Sequence, residues 1–226
     1  MQFLLAPFAS CAQPPCMNRI MTRIKLLSLL SILALFTTGS LFAQNPTYTV
    51  NVNTVPSDIA SFEAFRDSLA TTPEGGAIVM LFALRLYQQN PTEGTKALIV
   101  AVDSSRLSQS TGAGSYKGFA LDGSTKYLLG QIEKYPFMLN SYLPGATPEN
   151  GYTPAALPYT FTLTSNRFSG TVESGQIKLF LPSSGAATPR PITMKRNSKG
   201  VWKAAEFSSL LVGVAAPATT DPADDL

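Results

Sequence analysis

The sequence contains no histidine, and its only two cysteines, Cys11 and Cys16, lie within the first sixteen of its 226 residues. A chain without histidine has no imidazole to act as a general base or to bind a metal ion. Two cysteines form at most one disulfide, which excludes a disulfide-rich scaffold and a zinc cluster. The residues therefore predict no metal and no cofactor. They favour a non-catalytic binding or interaction module over two alternatives, a small pocket enzyme that uses buried carboxylates and a structural component of the cell envelope.

The first 43 residues carry the pattern of a secretory signal peptide. An apolar run over residues 26–36 is too short for a membrane-spanning helix, and it is followed by small and polar residues and then by Leu41-Phe42-Ala43. The run is preceded by three basic residues, Arg19, Arg23 and Lys25. The pattern predicts cleavage after Ala43 and export to the periplasm or the cell exterior, and an uncleaved anchor is the alternative. Residues 1–16 fit neither role, so Met17 and Met21 are alternative starts.

The predicted mature chain carries no net charge. The full sequence has 17 basic and 14 acidic residues, and three of the basic residues lie within residues 1–43. Cleavage therefore leaves 14 residues of each sign. The formal charge of +3 belongs to the signal peptide and does not indicate a nucleic-acid partner, so none is expected.

Local signals predict a strand followed by helices. Residues 47–53 alternate apolar and polar side chains, as a half-buried strand does. From Pro56 the apolar residues recur every three or four positions, which predicts an amphipathic helix. Thr72-Pro73-Glu74 combines a capping hydroxyl, an early proline and an acid before a long apolar run. This run is the predicted central buried helix.

Two further helices are predicted downstream. Asn90-Pro91 repeats the start signal before residues 97–102, whose β-branched composition also suits a buried strand. The start signal and the polar residues that follow favour a helix. Ser124 is expected to cap the next helix, which ends before Pro136.

The second half of the chain has the pattern of a sheet. After a proline- and glycine-rich connection over residues 143–158, apolar residues recur at every second position, and a turn at 197–200 precedes a returning strand. Helices followed by antiparallel strands predict an α+β fold, with N-terminal helices packed on a C-terminal curved antiparallel sheet. The predicted divisions are an upstream extension with the signal peptide, an N-terminal strand or linker, a single α+β domain and a disordered acidic tail, over residues 1–43, 44–55, 56–214 and 215–226.

Several stretches resemble a bacterial family of uncharacterised exported proteins. They are Phe62 to Arg66, residues 146–152, residues 189–203 and Phe207 to Leu210. The resemblance implies one folded unit in a bacterial host and brings no assigned activity. The order of elements and the closing Gly200-Val201-Trp202-Lys203 are more weakly similar to the cone-shaped fold of nuclear transport factor 2.

A cluster of basic residues is the first candidate binding surface. Between Ser174 and Ala205 the chain has no acidic residue and six basic ones, namely Lys178, Arg190, Lys195, Arg196, Lys199 and Lys203. Such a patch would attract an anionic component of the envelope or another envelope protein. The alternative is a solvated face whose lysines protect the sheet edges.

Aromatic residues around the long connection are the second candidate, because a ring with one polar end suits sugar or peptide binding. Core packing is the alternative. The ligand-binding residues predicted from both sets are Arg190, Arg196, Lys199, Trp202, Tyr142 and Tyr152. No catalytic residue is predicted, since the glycine-rich residues 112–118 lack nucleotide-loop spacing and the pair Glu63 and Asp67 suits an exposed helix face.

Overall fold

The computed structural model describes residues 45–219, and in them the fold is mixed α+β, as predicted. The four α-helices are α1 (Ile59–Leu69), α2 (Pro73–Gln89), α3 (Pro91–Ala101) and α4 (Gly123–Lys134). The strands are β1 (Thr47–Val52), β2 (Leu107–Gln109), β3 (Phe119–Leu121), β4 (Tyr159–Thr164), β5 (Gly170–Thr171), β6 (Gln176–Leu181), β7 (Arg190–Arg196) and β8 (Trp202–Glu206). The predicted signal peptide lies outside the described residues. No helix within 45–219 has both the length and the apolar character to cross a membrane.

The helix starts follow local capping chemistry. Asp58 caps α1 in a reciprocal capping box with Ser61, two residues after the proline where the helical pattern begins. Thr72 and Asn90 cap α2 and α3, and each of these helices has proline in its first turn. The predicted helices over these segments are confirmed, and the segment 97–102 is helical as far as Ala101, whereas Val102 is extended.

The cap of α4 differs from the prediction. The N-cap is Asp122, whose carboxylate accepts the backbone N–H of Thr125 at 2.6 Å. Ser124 lies inside the first turn, and its hydroxyl donates to the same carboxylate oxygen at 3.0 Å. The prediction of Ser124 as the cap is therefore wrong, because a carboxylate two residues earlier is the stronger acceptor for the free N–H groups.

The main sheet is antiparallel, with the strand order β1-β4-β6-β7-β8 and with β5 paired to β6. A separate two-stranded sheet joins β2 to β3. The N-terminal strand β1 pairs with β4 along its whole length. Within the segment 44–55 predicted as a strand or linker, residues 47–52 are therefore an edge strand of the sheet.

Helix α2 is the centre of the core, as predicted. Twelve of its 17 residues are buried, and it contacts β1, β6, β7 and β8 as well as α1 and α3. Gly76 allows the close approach to the sheet, because a Cβ there would lie 2.9 Å from Met194 Cε and from Trp202 Cβ. The central position of α2 places the core between the helices and the inner face of the sheet.

The chain after β8 runs back along the domain. Ala215 donates its N–H to the carbonyl of Gly185 at 2.8 Å, and Ala218 donates to the carbonyl of Pro148 at 2.9 Å. These residues belong to the segment 215–226 for which a disordered tail is predicted, and the part after residue 219 lies outside the described residues.

Candidate functional site

The predicted basic surface is divided between distant parts of the sheet. Arg190 and Arg196 are the first and last residues of β7. They are six residue steps apart along an extended strand, which corresponds to about 20 Å between their Cα atoms. Two cations at that distance cannot hold one small ligand. A role of either arginine in binding a larger anionic partner stays a prediction.

Arg190 is used inside the domain. Its guanidinium donates to the carbonyl oxygen of Gly213, a residue in the left-handed backbone conformation. Its Nε is buried and has no hydrogen-bond partner within residues 45–219. The side chain therefore holds the segment that follows β8 against the sheet.

The other end of β7 retains part of the predicted arrangement. The guanidinium carbon of Arg196 lies 5.6 Å from the ring centroid of Trp202, which is directly opposite it on β8 and is buried. Lys199 is exposed in the intervening turn. Lys195 pairs across the strands with Lys203, and strand alternation directs this pair to the other face.

The two tyrosines predicted to bind ligand use their hydroxyl groups internally. Tyr142 is buried and donates to the carbonyl of Leu210 at 3.0 Å, and burial raises the pKa of its phenol. Tyr152 has no exposed surface and donates to the carbonyl of Ala215 at 2.7 Å. Both hydroxyls therefore already have acceptors inside the domain, and a ligand-binding role of either tyrosine stays a prediction. Core packing, the alternative for this set, describes both.

A cleft of about 390 Å³ opens beside β4, and it contains groups that the sequence patterns did not single out. It is lined by three segments, residues 141–146, 160–162 and 181–184. None of these residues carries a charged side chain. Its polar groups are serine and threonine hydroxyls and the backbone of β4.

The cleft exists because β4 and β6 stop pairing. The two strands make one pair, Thr164 with Phe180. Extending that antiparallel register by one hydrogen-bonded step places Thr162 opposite Pro182. Proline has no N–H to donate, so the ladder ends there.

The following residues of the chain are held away from β4. In the same register Ser184 would face Thr160. Instead, Ser184 donates its N–H and its hydroxyl to the carbonyl of Ser141. The hydroxyls of Ser141 and Ser183 lie 2.8 Å apart, and that of Ser141 donates to the carbonyl of Met138 at 2.7 Å. These bonds fix the far wall of the cleft.

The edge of β4 that faces the cleft is open. On the other edge the N–H of Ser165 donates to Pro46 at 3.0 Å, which marks the odd-numbered residues as those bonded toward β1. The N–H and C=O groups of Thr160 and Thr162 therefore point away from β1, toward the cleft. Among residues 45–219 these four groups have no hydrogen-bond partner.

Glu63, one member of the candidate carboxylate pair on α1, has a structural role. Glu63 accepts hydrogen bonds from Lys117 and from the Tyr116 hydroxyl, the latter at 3.2 Å. The bond from Lys117 is the main cause that lowers the pKa of Glu63. Glu63 therefore stays ionised and ties the glycine-rich loop to α1. Within the described part of the chain, no three His, Cys, Asp or Glu side chains are grouped so that they could hold a metal ion.

Comparison with known proteins gives one match. A family model described as a domain of unknown function (DUF6935) matches residues 54–218. No curated protein and no solved structure matches the chain. The similarity to the nuclear transport factor 2 fold therefore stays a prediction.

Proposed function

The chain belongs to the DUF6935 family, and we propose that it is an exported, non-catalytic binding module of the bacterial cell envelope whose ligand site is the cleft beside β4. The observation that supports this proposal most directly is the open edge of Thr160 and Thr162, whose four backbone groups face an uncharged cleft and have no partner in the described part of the chain. Both threonines are exposed, so these backbone groups are open to a ligand or to water.

The cleft is suited to binding rather than to catalysis. General acid–base catalysis needs a group whose pKa lies near the working pH, and the one ordinarily titratable side chain in the lining, Tyr142, has its pKa raised by burial. A serine nucleophile needs an adjacent base. The nearest partners of the Ser141 hydroxyl are another hydroxyl and a carbonyl.

The lining also indicates the class of ligand. An anion would need a cation or a converging set of donors, and the lining has no charged side chain. A neutral ligand with alternating hydrogen-bond donors and acceptors can pair with the hydroxyls of the lining and with the backbone groups of Thr160 and Thr162. The volume of about 390 Å³ suits a short segment of such a ligand.

The proposed site can be tested by amide NMR titration of the full-length protein with two neutral probes, a chitin hexasaccharide and a capped hexapeptide of alternating threonine and valine. We expect at least one probe to shift the amide signals of Thr160, Thr162 and Ser183. Ser183→Phe places a ring in the cleft and should abolish the shifts. Ser198→Phe, which adds the same ring to an exposed turn, should leave them. If neither probe moves these signals at millimolar concentration, the cleft is not a site for neutral polymers.

Export is tested separately, on protein made by its natural host. N-terminal sequencing should find a mature chain that begins near Gln44 in the envelope or medium fraction. An intact precursor in the cytosolic fraction would overturn the exported location without bearing on the cleft.

A further inference from the structure

The open edge of β4 has the hydrogen-bonding pattern of a strand that lacks a neighbour. Thr160 and Thr162 each present one N–H and one C=O on the same side, and the intervening Phe161 bonds toward β1 instead. The repeat between the two sets of groups is two residues of extended chain, about 7 Å. The order along the edge is therefore a donor and acceptor pair, a gap, and a second such pair.

An extended peptide has the complementary pattern. Its alternate residues also present an N–H and a C=O on one edge, with the same repeat. A glycan has hydroxyls in plenty but no fixed pairing of one donor with one acceptor at this repeat. The backbone of β4 therefore matches a peptide more closely than a sugar, whereas the hydroxyls of the far wall are compatible with both.

Within residues 45–219 the segment that follows β6 does not fill the position. Pro182 cannot donate to Thr162, and Ser184 gives both of its donors to Ser141. The strand that would continue the sheet is therefore diverted, and the vacant place has about 390 Å³ of volume. The uncharged lining favours main chain and small uncharged side chains over a charged peptide.

From these features we infer that the cleft binds an extended, uncharged peptide segment that adds to β4 as an antiparallel or parallel strand. The inference rests on the proposed function and specifies its ligand class. The main-chain hydrogen bonds to Thr160 and Thr162 supply the affinity, and the serine wall limits the side chains that fit.

The first test compares two peptides with identical side chains. Isothermal titration of the full-length protein with the capped threonine–valine hexapeptide should give a measurable Kd. The same peptide with every backbone nitrogen methylated should bind at least tenfold more weakly, because it has no N–H to offer to the carbonyls of β4. Equal affinity of the two peptides would overturn strand addition.

The second test removes one backbone N–H group from the edge of β4. Thr162→Pro removes the N–H that faces the cleft, whereas the bonds to β1 come from Phe161 and Leu163 and are kept. Thr162→Val removes the hydroxyl and keeps the N–H. We expect the proline variant to lose at least tenfold more peptide affinity than the valine variant, whose own change measures the contribution of the hydroxyl. Thermal unfolding of both variants shows whether the proline variant is folded. If it is not folded, the comparison of the unmodified and the N-methylated peptide on the parent protein decides whether strand addition occurs.

The probes separate the two proposals. Binding of the chitin hexasaccharide to the cleft signals without any binding of the peptide would keep the proposed binding site and overturn the peptide inference. Absence of both would overturn both. Peptide binding that is equally strong for the proline and valine variants would place the peptide elsewhere and overturn the inference.

Discussion

Ser184 donates two hydrogen bonds to a single acceptor, the carbonyl oxygen of Ser141, through its backbone N–H at 2.9 Å and its hydroxyl at 3.1 Å. The residues are 43 positions apart in the sequence. The paired bonds hold the chain after β6 against the segment after α4 and away from β4. The cleft therefore depends on a contact between two loops as much as on the sheet.

The hydroxyl bond of Ser184 can be removed without the N–H bond. Ser184→Ala should lower the free energy of unfolding by about 0.5–1.5 kcal/mol, the usual net value of one hydrogen bond. Urea denaturation measures the change, and the exposed Ser198→Ala should stay within about 0.5 kcal/mol of the parent protein. Equal effects of the two substitutions would show that the hydroxyl bond does not hold the loop.

The two edges of β4 should differ in amide exchange. The N–H groups of Phe161 and Leu163 bond to β1, whereas those of Thr160 and Thr162 face the cleft without a partner in residues 45–219. Hydrogen exchange followed by NMR should therefore alternate along the strand, with Phe161 and Leu163 at least about 100-fold slower than their threonine neighbours. Slow exchange at Thr160 and Thr162 in the absence of ligand would mean that the edge is already paired.

Two glycines in helices should respond oppositely to alanine. A Cβ on Gly94 of α3 would overlap the backbone of Tyr87 on α2, so Gly94→Ala must push the two helices apart. We expect a loss of at least about 2 kcal/mol. Gly130 of α4 is exposed and a Cβ there meets nothing within 4 Å, so Gly130→Ala should add about 0.5–1 kcal/mol. Chemical denaturation of both variants gives the comparison, and a loss of stability in both would contradict the open space at Gly130.

The helices were predictable because their signals are local. A capping side chain, an early proline and a run of apolar residues lie within a few positions of one another, as at Thr72 and Pro73. The one misassigned cap, Ser124 instead of Asp122, differs by two positions within the same local signal. The alternating strands of the second half were likewise visible as a period of two.

The cleft was not predictable, because it depends on which strands become neighbours. Thr160 and Thr162 read as ordinary outward-facing strand residues, and Ser141, Ser183 and Ser184 as loop residues. Pro182 was the one available signal, since a proline directly after a strand cannot donate to a further ladder. That Pro182 ends the pairing of β4 and β6 can be recognised only from their register, which places Pro182 opposite Thr162.

The spatial arrangement of the basic cluster was not predictable for a related reason. Charges close together in sequence are read as one patch, yet a strand carries its alternate residues to opposite faces and its end residues far apart. Arg190 and Arg196 thus belong to different ends of β7, and Lys203 turns toward the helices. The net charge of a sequence segment describes its composition and not where its charged side chains lie in the fold.

Lys203 lies on β8 and is half-buried, and its side chain contacts the C-terminal end of α3. Its ammonium donates to the carbonyl of Val100, one of the last carbonyls of α3. Burial is the main cause that lowers the pKa of Lys203 from its usual value to about 8, and Arg66 adds to the effect. The nearby carboxylates of Asp67, Asp103 and Glu63 oppose it.

This pKa predicts a rise in stability with pH. Below about pH 8 the lysine is charged in both the folded and the unfolded chain, so it adds no pH dependence. Between about pH 8 and the ordinary lysine value of 10.5, the unfolded chain holds a proton that the folded chain has released. The free energy of unfolding therefore increases with pH in that window.

The comparison protein is Lys203→Met, which keeps the length and apolar stem but cannot titrate. From pH 7 to pH 10 the parent protein should gain about 2–3 kcal/mol relative to this variant, since one pKa unit corresponds to about 1.4 kcal/mol. Urea denaturation of both proteins at each pH measures the difference and cancels the titration of all other groups. Parallel pH curves would show that Lys203 keeps an ordinary pKa in the folded chain, and a decrease would show that the folded state favours its charged form.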